Sequence, residues 1–257
     1  MKQILCVISV LLIISCNRKN VIVVKEHRGE VSKPAENNDS TNRIIKVGLI
    51  EKYNKLPKLK FDSISESEFP KLESIDFIIQ PKLEQKSNFF YIQTEIQKHK
   101  LKKYMDDGGD KSWNGHEFLG YYPYLKLFAI TNNYTSDSMG FGELILIDDK
   151  TDYQYKVESF GDGSVELPIP SKNNKYLVYY SNDVYEHKNS DIAVLKINQK
   201  TNPTIFLSEY ASFHSDDFAV EKIVWLSDNI FFIKGYEEVY QDDKWVKKYK
   251  YYKTRFE

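Results

Sequence analysis

Residues 175–180 read Lys-Tyr-Leu-Val-Tyr-Tyr, and residues 191–196 read Asp-Ile-Ala-Val-Leu-Lys. Both runs are rich in β-branched and aromatic residues, and a polar stretch lies between them. Short runs of this composition, bounded by turn-forming residues, are typical of β-strands. Lys200-Thr201 follows the second run. The stretch therefore predicts a unit of two strands that are joined by a longish loop and closed by a turn.

The same unit recurs on both sides of this stretch. The preceding copy contains Lys126-Leu-Phe-Ala-Ile-Thr131, Glu143-Leu-Ile-Leu-Ile-Asp148 and Lys150-Thr151, and the following copy contains Asn229-Ile-Phe-Phe-Ile-Lys234, Lys247-Lys-Tyr-Lys-Tyr-Tyr252 and Lys253-Thr254. A few strands that recur every ~40–50 residues are typical of propeller blades. We therefore expect an all-β fold of antiparallel blade-like repeats, a partial or small β-propeller, with units at about 120–160, 165–208 and 218–257. A plain antiparallel meander with similar hairpins is the alternative.

Further strands are predicted between and before these units. They cover residues 154–159, 204–208 and 219–226, and earlier in the chain residues 44–50, 77–80, 89–94 and 99–104. The earlier group could supply another blade, and no segment has a long helical period. Residues 44–257 are therefore predicted to form a single β-rich domain.

The central repeat resembles a known family. Ser171-Lys-Asn-Asn-Lys-Tyr-Leu-Val-Tyr-Tyr-Ser181, followed by Asp191-Ile-Ala-Val-Leu-Lys-Ile-Asn198, resembles the WD40-like repeats of TolB-type periplasmic propellers. Those repeats have Pro-Asp-Gly where this chain has Lys172-Asn173-Asn174. The whole chain also resembles the uncharacterised lipoproteins of Bacteroidota. Neither resemblance implies a particular activity.

The N-terminus has the pattern of an export signal. Met1 and Lys2 precede an apolar run over residues 4–14, which is shorter than the ~20 residues that cross a bilayer and suits a secretory signal. Ile13-Ile14-Ser15-Cys16 resembles the bacterial lipobox. The resemblance implies that residues 1–15 are cleaved after Ser15 and that Cys16 carries diacylglycerol and an amide-linked acyl chain such as palmitate.

A polar stretch separates this signal from the predicted domain. No aromatic residue precedes Tyr53, although the chain has 19 Tyr, 15 Phe and 3 Trp. Residues 16–43 are therefore predicted to be the lipidated cysteine and a flexible linker. Residues 17–20, Asn-Arg-Lys-Asn, lack the acidic residues that mark surface export in Bacteroidota lipoproteins. We expect an outer-membrane protein in the cell envelope, bound to the membrane by its lipid anchor and facing the periplasm.

Charge and motif spacing argue against several function classes. The chain has 36 basic and 37 acidic residues, so no overall field attracts nucleic acid. The histidines and cysteines lack zinc-site spacing, and no metal or cofactor is predicted.

His214-Ser215-Asp216-Asp217 groups the residue types of a serine hydrolase, but a polar turn is favoured because triad members are usually distant in sequence. Asp106-Asp107-Gly108-Gly109-Asp110 lacks the full EF-hand pattern and also favours a turn over calcium binding. No catalytic residues are predicted.

Two aromatic groups are candidates for a ligand surface. The last predicted strand interleaves Trp245, Tyr249 and Tyr251 with lysines, a pattern that suits a glycan or anionic lipid. The alternative is an edge strand that lysines protect from sheet-to-sheet association. The second group is Tyr121, Tyr122 and Tyr124, which could form a platform if exposed but would be core if buried.

Three functions are compatible with these features. The first is a non-catalytic binding or scaffold module that contacts an envelope protein or a glycan. The second is a periplasmic glycan or peptide hydrolase with carboxylates gathered from different blades. The third is an inhibitor or immunity-type lipoprotein.

Lipidation can be tested directly. The wild-type protein should incorporate radiolabelled palmitate, because a lipobox cysteine is acylated after export, and Cys16→Ala should not. Membrane fractions compared by autoradiography give the result, with Cys6→Ala as the matched control because Cys6 lies in the predicted signal. Labelling of Cys16→Ala would refute the anchor.

Overall fold

β-strands dominate the chain, as its short apolar runs predict. The computed structural model describes residues 43–71, 76–105, 114–136, 139–161, 165–183 and 188–256. The predicted signal and linker, with Ser15 and Cys16, lie outside the described residues apart from Arg43, and so does the acidic stretch 106–110. In the described part, no helix has the length and apolar character needed to cross a bilayer.

The strands form four sheets, which we number I to IV. Sheet I contains β3 (Glu84–Lys86), β4 (Phe89–Gln93) and β5 (Lys98–Lys102). Sheet II contains β1 (Ile44–Val47), β6 (Asn114–Tyr122), β7 (Leu127–Ser136), β8 (Met139–Asp148) and β9 (Gln154–Val157). Sheet III contains β10 (Ile169–Pro170), β11 (Tyr176–Asn182), β12 (Ser190–Ile197) and β13 (Leu207–Ser215). Sheet IV contains β14 (Ala219–Trp225), β15 (Ile230–Gln241), β16 (Lys244–Arg255) and β2 (Phe61–Ile64).

Both faces of sheet II are buried. Successive side chains of a strand point to opposite faces, and β8 is apolar at every position from residue 144 to 147. Leu144 and Leu146 join a core cluster that also contains side chains of sheet III, whereas Ile145 and Ile147 pack with side chains of sheet I. Sheet II therefore lies between sheets I and III.

Sheet III is buried in the same way. Leu177 and Tyr179 of β11 pack in the cluster shared with sheet II, while Val178 between them packs with side chains of sheet IV such as Phe231 and Ile233. The four sheets therefore stack face to face in the order I, II, III, IV. Sheets I and IV each have one face that is not covered by another sheet of the stack.

The segment before sheet I joins three of the sheets. β1 pairs in parallel with β9 of sheet II, and β2 pairs with the end of β16 in sheet IV. Between them, the backbone N–H groups of Gly48 and Leu49 donate to Glu209 of sheet III at 2.9 and 3.2 Å. Gly48 has a φ of +84°, and a Cβ there would lie 2.5 Å from the Tyr179 hydroxyl. Only glycine fits this close approach.

The all-β prediction is confirmed, but three predicted strands are wrong in part. The strand predicted over residues 44–50 ends at Val47, and a short α-helix, α1 (Ile50–Tyr53), follows. Residues 77–80 make only an isolated bridge from Ile79 to Tyr121. The strand predicted over residues 204–208 begins only at Leu207. Residues 203–205 form a 3₁₀ turn instead, because Pro203 has no N–H to donate to a ladder and the Asn202 side chain accepts the N–H of Thr204. None of the sheets in the described residues closes on itself.

The turn between β8 and β9 binds sheets I and III to sheet II through two buried aspartates. Asp152 accepts hydrogen bonds from Thr94 at 2.8 Å and His99 at 2.6 Å, both next to or within sheet I. Asp148 accepts the N–H groups of Lys150 and Thr151 and is paired with the Lys200 ammonium from the β12–β13 connection. Burial opposes ionisation of Asp148, but these hydrogen bonds hold the pKa of its carboxyl below the usual value.

Replacing Lys200 with Met tests the link between sheets II and III. Met keeps apolar contact with Phe206, over which the ammonium lies at 5.0 Å, but leaves the buried Asp148 carboxylate without its cation. We expect the free energy of unfolding at pH 7 to fall by about 2 kcal/mol, less than for a fully buried pair because Lys200 is partly exposed. Urea titrations measure this loss.

The same loss should depend on pH. Because the pKa of Asp148 is lower in the folded than in the unfolded chain, its stabilisation is present above the unfolded-state pKa of about 4 and disappears as the pH falls through the lower folded value. The difference between wild type and Lys200→Met should therefore shrink at pH 3. Lys172→Met, at an exposed turn, should cost less than about 0.5 kcal/mol. An equal loss in both variants, or a loss independent of pH, would contradict this role.

Candidate functional site

The β15–β16 hairpin extends past the strands on either side of it. Both strands are twelve residues long, but β14 pairs with β15 only as far as Tyr236, and β2 pairs only with residues 251–254 of β16. Among the strands that the structure describes, none pairs with residues 237–248 from outside, and we call these residues the hairpin arm. Asp242 and Asp243 at its tip both have positive φ, 52° and 59°, as a two-residue turn between twisted strands requires.

Alternation places a row of aromatic rings on the outer face of sheet IV. The register pairs Tyr236 with Tyr249 and Tyr240 with Trp245, and paired residues project to the same face. Tyr240, Trp245 and Tyr249 are 62%, 57% and 45% exposed. The Tyr240 and Trp245 rings meet edge to face at 5.5 Å. We call Tyr236, Tyr240, Trp245, Tyr249 and Tyr251 the aromatic face.

Charged side chains lie among these rings. The Lys234 ammonium lies 3.8 Å from the centre of the Tyr249 ring, and the Lys247 ammonium lies 3.7 Å from that of Tyr236. Glu221 contacts both ammonium groups, at 2.5 Å and 3.7 Å. The hydrogen bond from Lys234 to Glu221 raises the pKa of Lys234. Burial disfavours the ionised form of Glu221, but its contacts with the two lysines hold the pKa of Glu221 below the usual value. The face therefore combines apolar rings with fixed donors and acceptors.

The predicted ligand residues of β16 lie on this one face, as their alternate spacing requires. Trp245 and Tyr249 are the exposed members. The Tyr251 hydroxyl donates to Glu66 at 2.9 Å, and its ring packs against Phe69 at 5.5 Å. Tyr251 therefore closes the end of the row where the preceding segment crosses the sheet.

The second predicted aromatic group does not form a surface. Tyr122 is only 2% exposed and donates its hydroxyl to the Pro168 carbonyl at 2.7 Å, so its assignment to a ligand platform is wrong. Alternation along β6 turns Tyr121 to the other face, where it is hydrogen-bonded to Asp149 and packs on Phe128. Tyr124 is 81% exposed but lies in the turn after the strand. The three tyrosines point in different directions.

Sequence reasoning missed the half of the face that β15 contributes. Tyr236 and Tyr240 are four residues apart and project to one side, and Asp242-Asp243 sets the register that places them opposite Tyr249 and Trp245. The alternation of Tyr236, Glu238 and Tyr240 was the available signal. Glu221 carried no such signal, because it lies at the irregular register between Val220 and Lys222.

No family model, curated protein or solved structure matches this chain.

The histidine group at the end of β13 is not arranged as a hydrolytic triad. His214 lies between two carboxylates, 2.8 Å from Asp191 and 3.2 Å from Asp216. The hydrogen bond to Asp191 raises the pKa of His214, and both hydrogen bonds described for its ring are to carboxylates. The Ser215 hydroxyl is buried and accepts the N–H groups of Asp217 and Phe218. These contacts form the polar turn that the sequence favours.

A cleft of about 800 Å³ lies between sheets I and II. Glu84, Glu117 and His116 are among its lining residues, but the register turns the Glu84 side chain to the opposite face of sheet I. Glu84 is paired with Lys98 at 2.5 Å, and Glu117 accepts a hydrogen bond from Asn133 at 2.8 Å. Burial lowers the pKa of His116. In the described part of the chain, no three His, Cys, Asp or Glu side chains are grouped to hold a metal ion.

Proposed function

We propose that this chain is a non-catalytic binding module of the cell envelope that recognises a glycan with the aromatic face of sheet IV. The observation that carries the proposal is the row of exposed rings in cross-strand register, Tyr240 with Trp245 and Tyr236 with Tyr249. Aromatic rings stack on the apolar C–H faces of sugars and bury large areas when covered.

The polar groups of this face suit the same ligand. Lys234, Lys247 and Glu221 are held by one another and by the rings, so their donors and acceptors have fixed positions. A binding site that is mostly apolar with a few placed polar groups is the common design for small-molecule and sugar recognition. Fixed polar groups between stacked sugar rings would choose among sugars by their hydroxyl positions.

The shape of the face favours a linear chain over a single sugar. The row of rings runs from Trp245 to Tyr251, six residues along β16, and so spans about 20 Å at 3.3–3.4 Å per residue. The face is open rather than enclosed, so each sugar ring would be covered on one side only. We therefore expect modest affinity per ring and stronger binding of longer chains.

The exposed rings add little to the fold. A two-stranded hairpin alone is at best marginally stable in water, and the arm leaves Tyr240 and Trp245 more than half exposed. Contiguous apolar surface of this kind typically marks an interaction site. Edge protection by lysines, the alternative raised from the sequence, accounts for Lys244, Lys247 and Lys248 but not for the rings.

The stacking of the four sheets supports the blade-like repeats that the sequence predicts. Sheets I to IV follow one another along the chain and pack face to face, and a strand from the first part of the domain, β2, completes the last sheet. With the lipid on Cys16, the module would be held at the outer membrane, facing the periplasm.

Glycan binding can be measured with the full-length protein in detergent. The probes are sonicated, soluble peptidoglycan chains and a neutral linear β-glucan, titrated by calorimetry. Trp245→Ala should weaken binding to the recognised glycan by roughly tenfold, because it removes the one indole of the row, its largest ring system. Far-UV circular dichroism should be unchanged.

Tyr124→Ala is the matched control, since Tyr124 is exposed but lies away from the aromatic face. It should bind as the wild type does. The proposal is wrong if neither glycan binds, or if the two variants lose the same affinity.

A further inference from the structure

The outer face of sheet I concentrates positive charge. The register places Lys86 beside Phe89 on one side and Lys102 beside it on the other, and pairs Tyr91 with Lys100. Lys98, Lys100 and Lys102 alternate along β5 and are all exposed. We call these four lysines, with Phe89 and Tyr91, the basic face.

Two of the lysines lie over the central rings. The Lys100 ammonium lies 4.2 Å from the centre of the Phe89 ring, and the Lys98 ammonium lies 4.6 Å from that of Tyr91. Lys98 also pairs with Glu84, and Lys102 donates to Asn114 at 2.7 Å. Glu84 is the one acidic residue that these three described strands place on this face.

The fold does not require this arrangement. The core is served by the opposite face of sheet I, where Phe90 and Ile92 are buried and Leu101 packs against them. Lysines at alternate positions of one strand are about 7 Å apart and repel each other. The whole chain is nearly neutral, with 36 basic and 37 acidic residues, so the patch does not follow from overall composition.

We propose that the basic face docks on the anionic lipid headgroups of a membrane. Lysines near a membrane are attracted to the negative charge of anionic lipids. Phe89 and Tyr91 are half-buried and lie between Lys86 and the lysines of β5. When these lysines bind headgroups, the two rings would lie at the level of the headgroups. A soluble polyanion would neutralise the lysines but would offer no apolar layer for the rings. The proposal is independent of glycan binding, which uses the opposite end of the stack.

The test measures how close sheet I comes to lipid. A fluorophore is attached at Gln93→Cys, an exposed position on the same face as Tyr91, in the full-length protein mixed with vesicles that carry headgroup spin labels. The unsubstituted protein, treated identically, is the blank. A fluorophore at Gln199→Cys, in the exposed β12–β13 connection, controls for simple attachment to the vesicle.

Quenching at position 93 should be several-fold stronger on vesicles with phosphatidylglycerol than on pure phosphatidylcholine, and it should disappear in high salt. The triple variant Lys98→Gln/Lys100→Gln/Lys102→Gln should abolish the difference. The matched triple Lys55→Gln/Lys172→Gln/Lys196→Gln removes the same charge from exposed positions elsewhere and should keep it, as should Trp245→Ala.

Three results would overturn the proposal. The first is equal quenching on both kinds of vesicle, and the second is loss of the difference in both lysine triples. The third is binding of soluble dextran sulfate that depends on Lys98, Lys100 and Lys102, without any quenching on vesicles, which would identify a soluble polyanion as the ligand.

Discussion

The structure depends on burying both faces of its two inner sheets. Leu144 and Leu146 point to sheet III while Ile145 and Ile147 point to sheet I, so a strand with no polar face becomes the centre of the stack. The pairing register of such a strand is weakly specified by its side chains. A shift of one residue turns every side chain to the other face, and because both faces are apolar, the shift buries no polar group. Polar contacts at the strand ends must therefore fix the register. Asp148 and Asp152 do this in the β8–β9 turn, where each carboxylate reaches a neighbouring sheet.

The same arrangement explains where the molecule can bind. Sheets II and III are covered on both sides at their centres, so among the described sheets only I and IV have a face that no other sheet covers. These two faces differ in chemistry: sheet IV carries a row of rings with balanced charges, and sheet I carries four lysines around two rings. The hairpin arm extends the first of these faces without adding core. The two surfaces that we propose for binding therefore lie at the ends of the stack, and the buried core lies in its middle.

Local pattern was enough to predict the strands but not their partners. The runs at 126–131, 143–148, 175–180 and 191–196 all lie in or at the ends of strands, because alternating and β-branched residues act within a few positions. The pairing of β1 with β9 and of β2 with β16 joins residues over 100 positions apart, and nothing in the short runs specifies it. The sequence left Tyr122 open between platform and core, because composition cannot tell which side of β6 faces the core. Trp245, Tyr249 and Tyr251 were grouped correctly because period-two spacing fixes a common face.

Cys16 and the rest of the predicted signal and linker up to residue 42 lie outside the described residues, so the anchor stays a prediction.

Hydrogen exchange of the full-length protein, read by mass spectrometry, tests the central claim that a doubly buried stack carries an open hairpin arm. Amides of residues 144–147 and 192–195 should exchange most slowly, because opening them requires separating buried sheets. Amides of residues 237–248 should exchange much faster, since no described strand pairs with the arm apart from its own two. Exchange in the arm as slow as in the inner sheets would contradict the account, because it would mean that the aromatic face is covered and is part of the core.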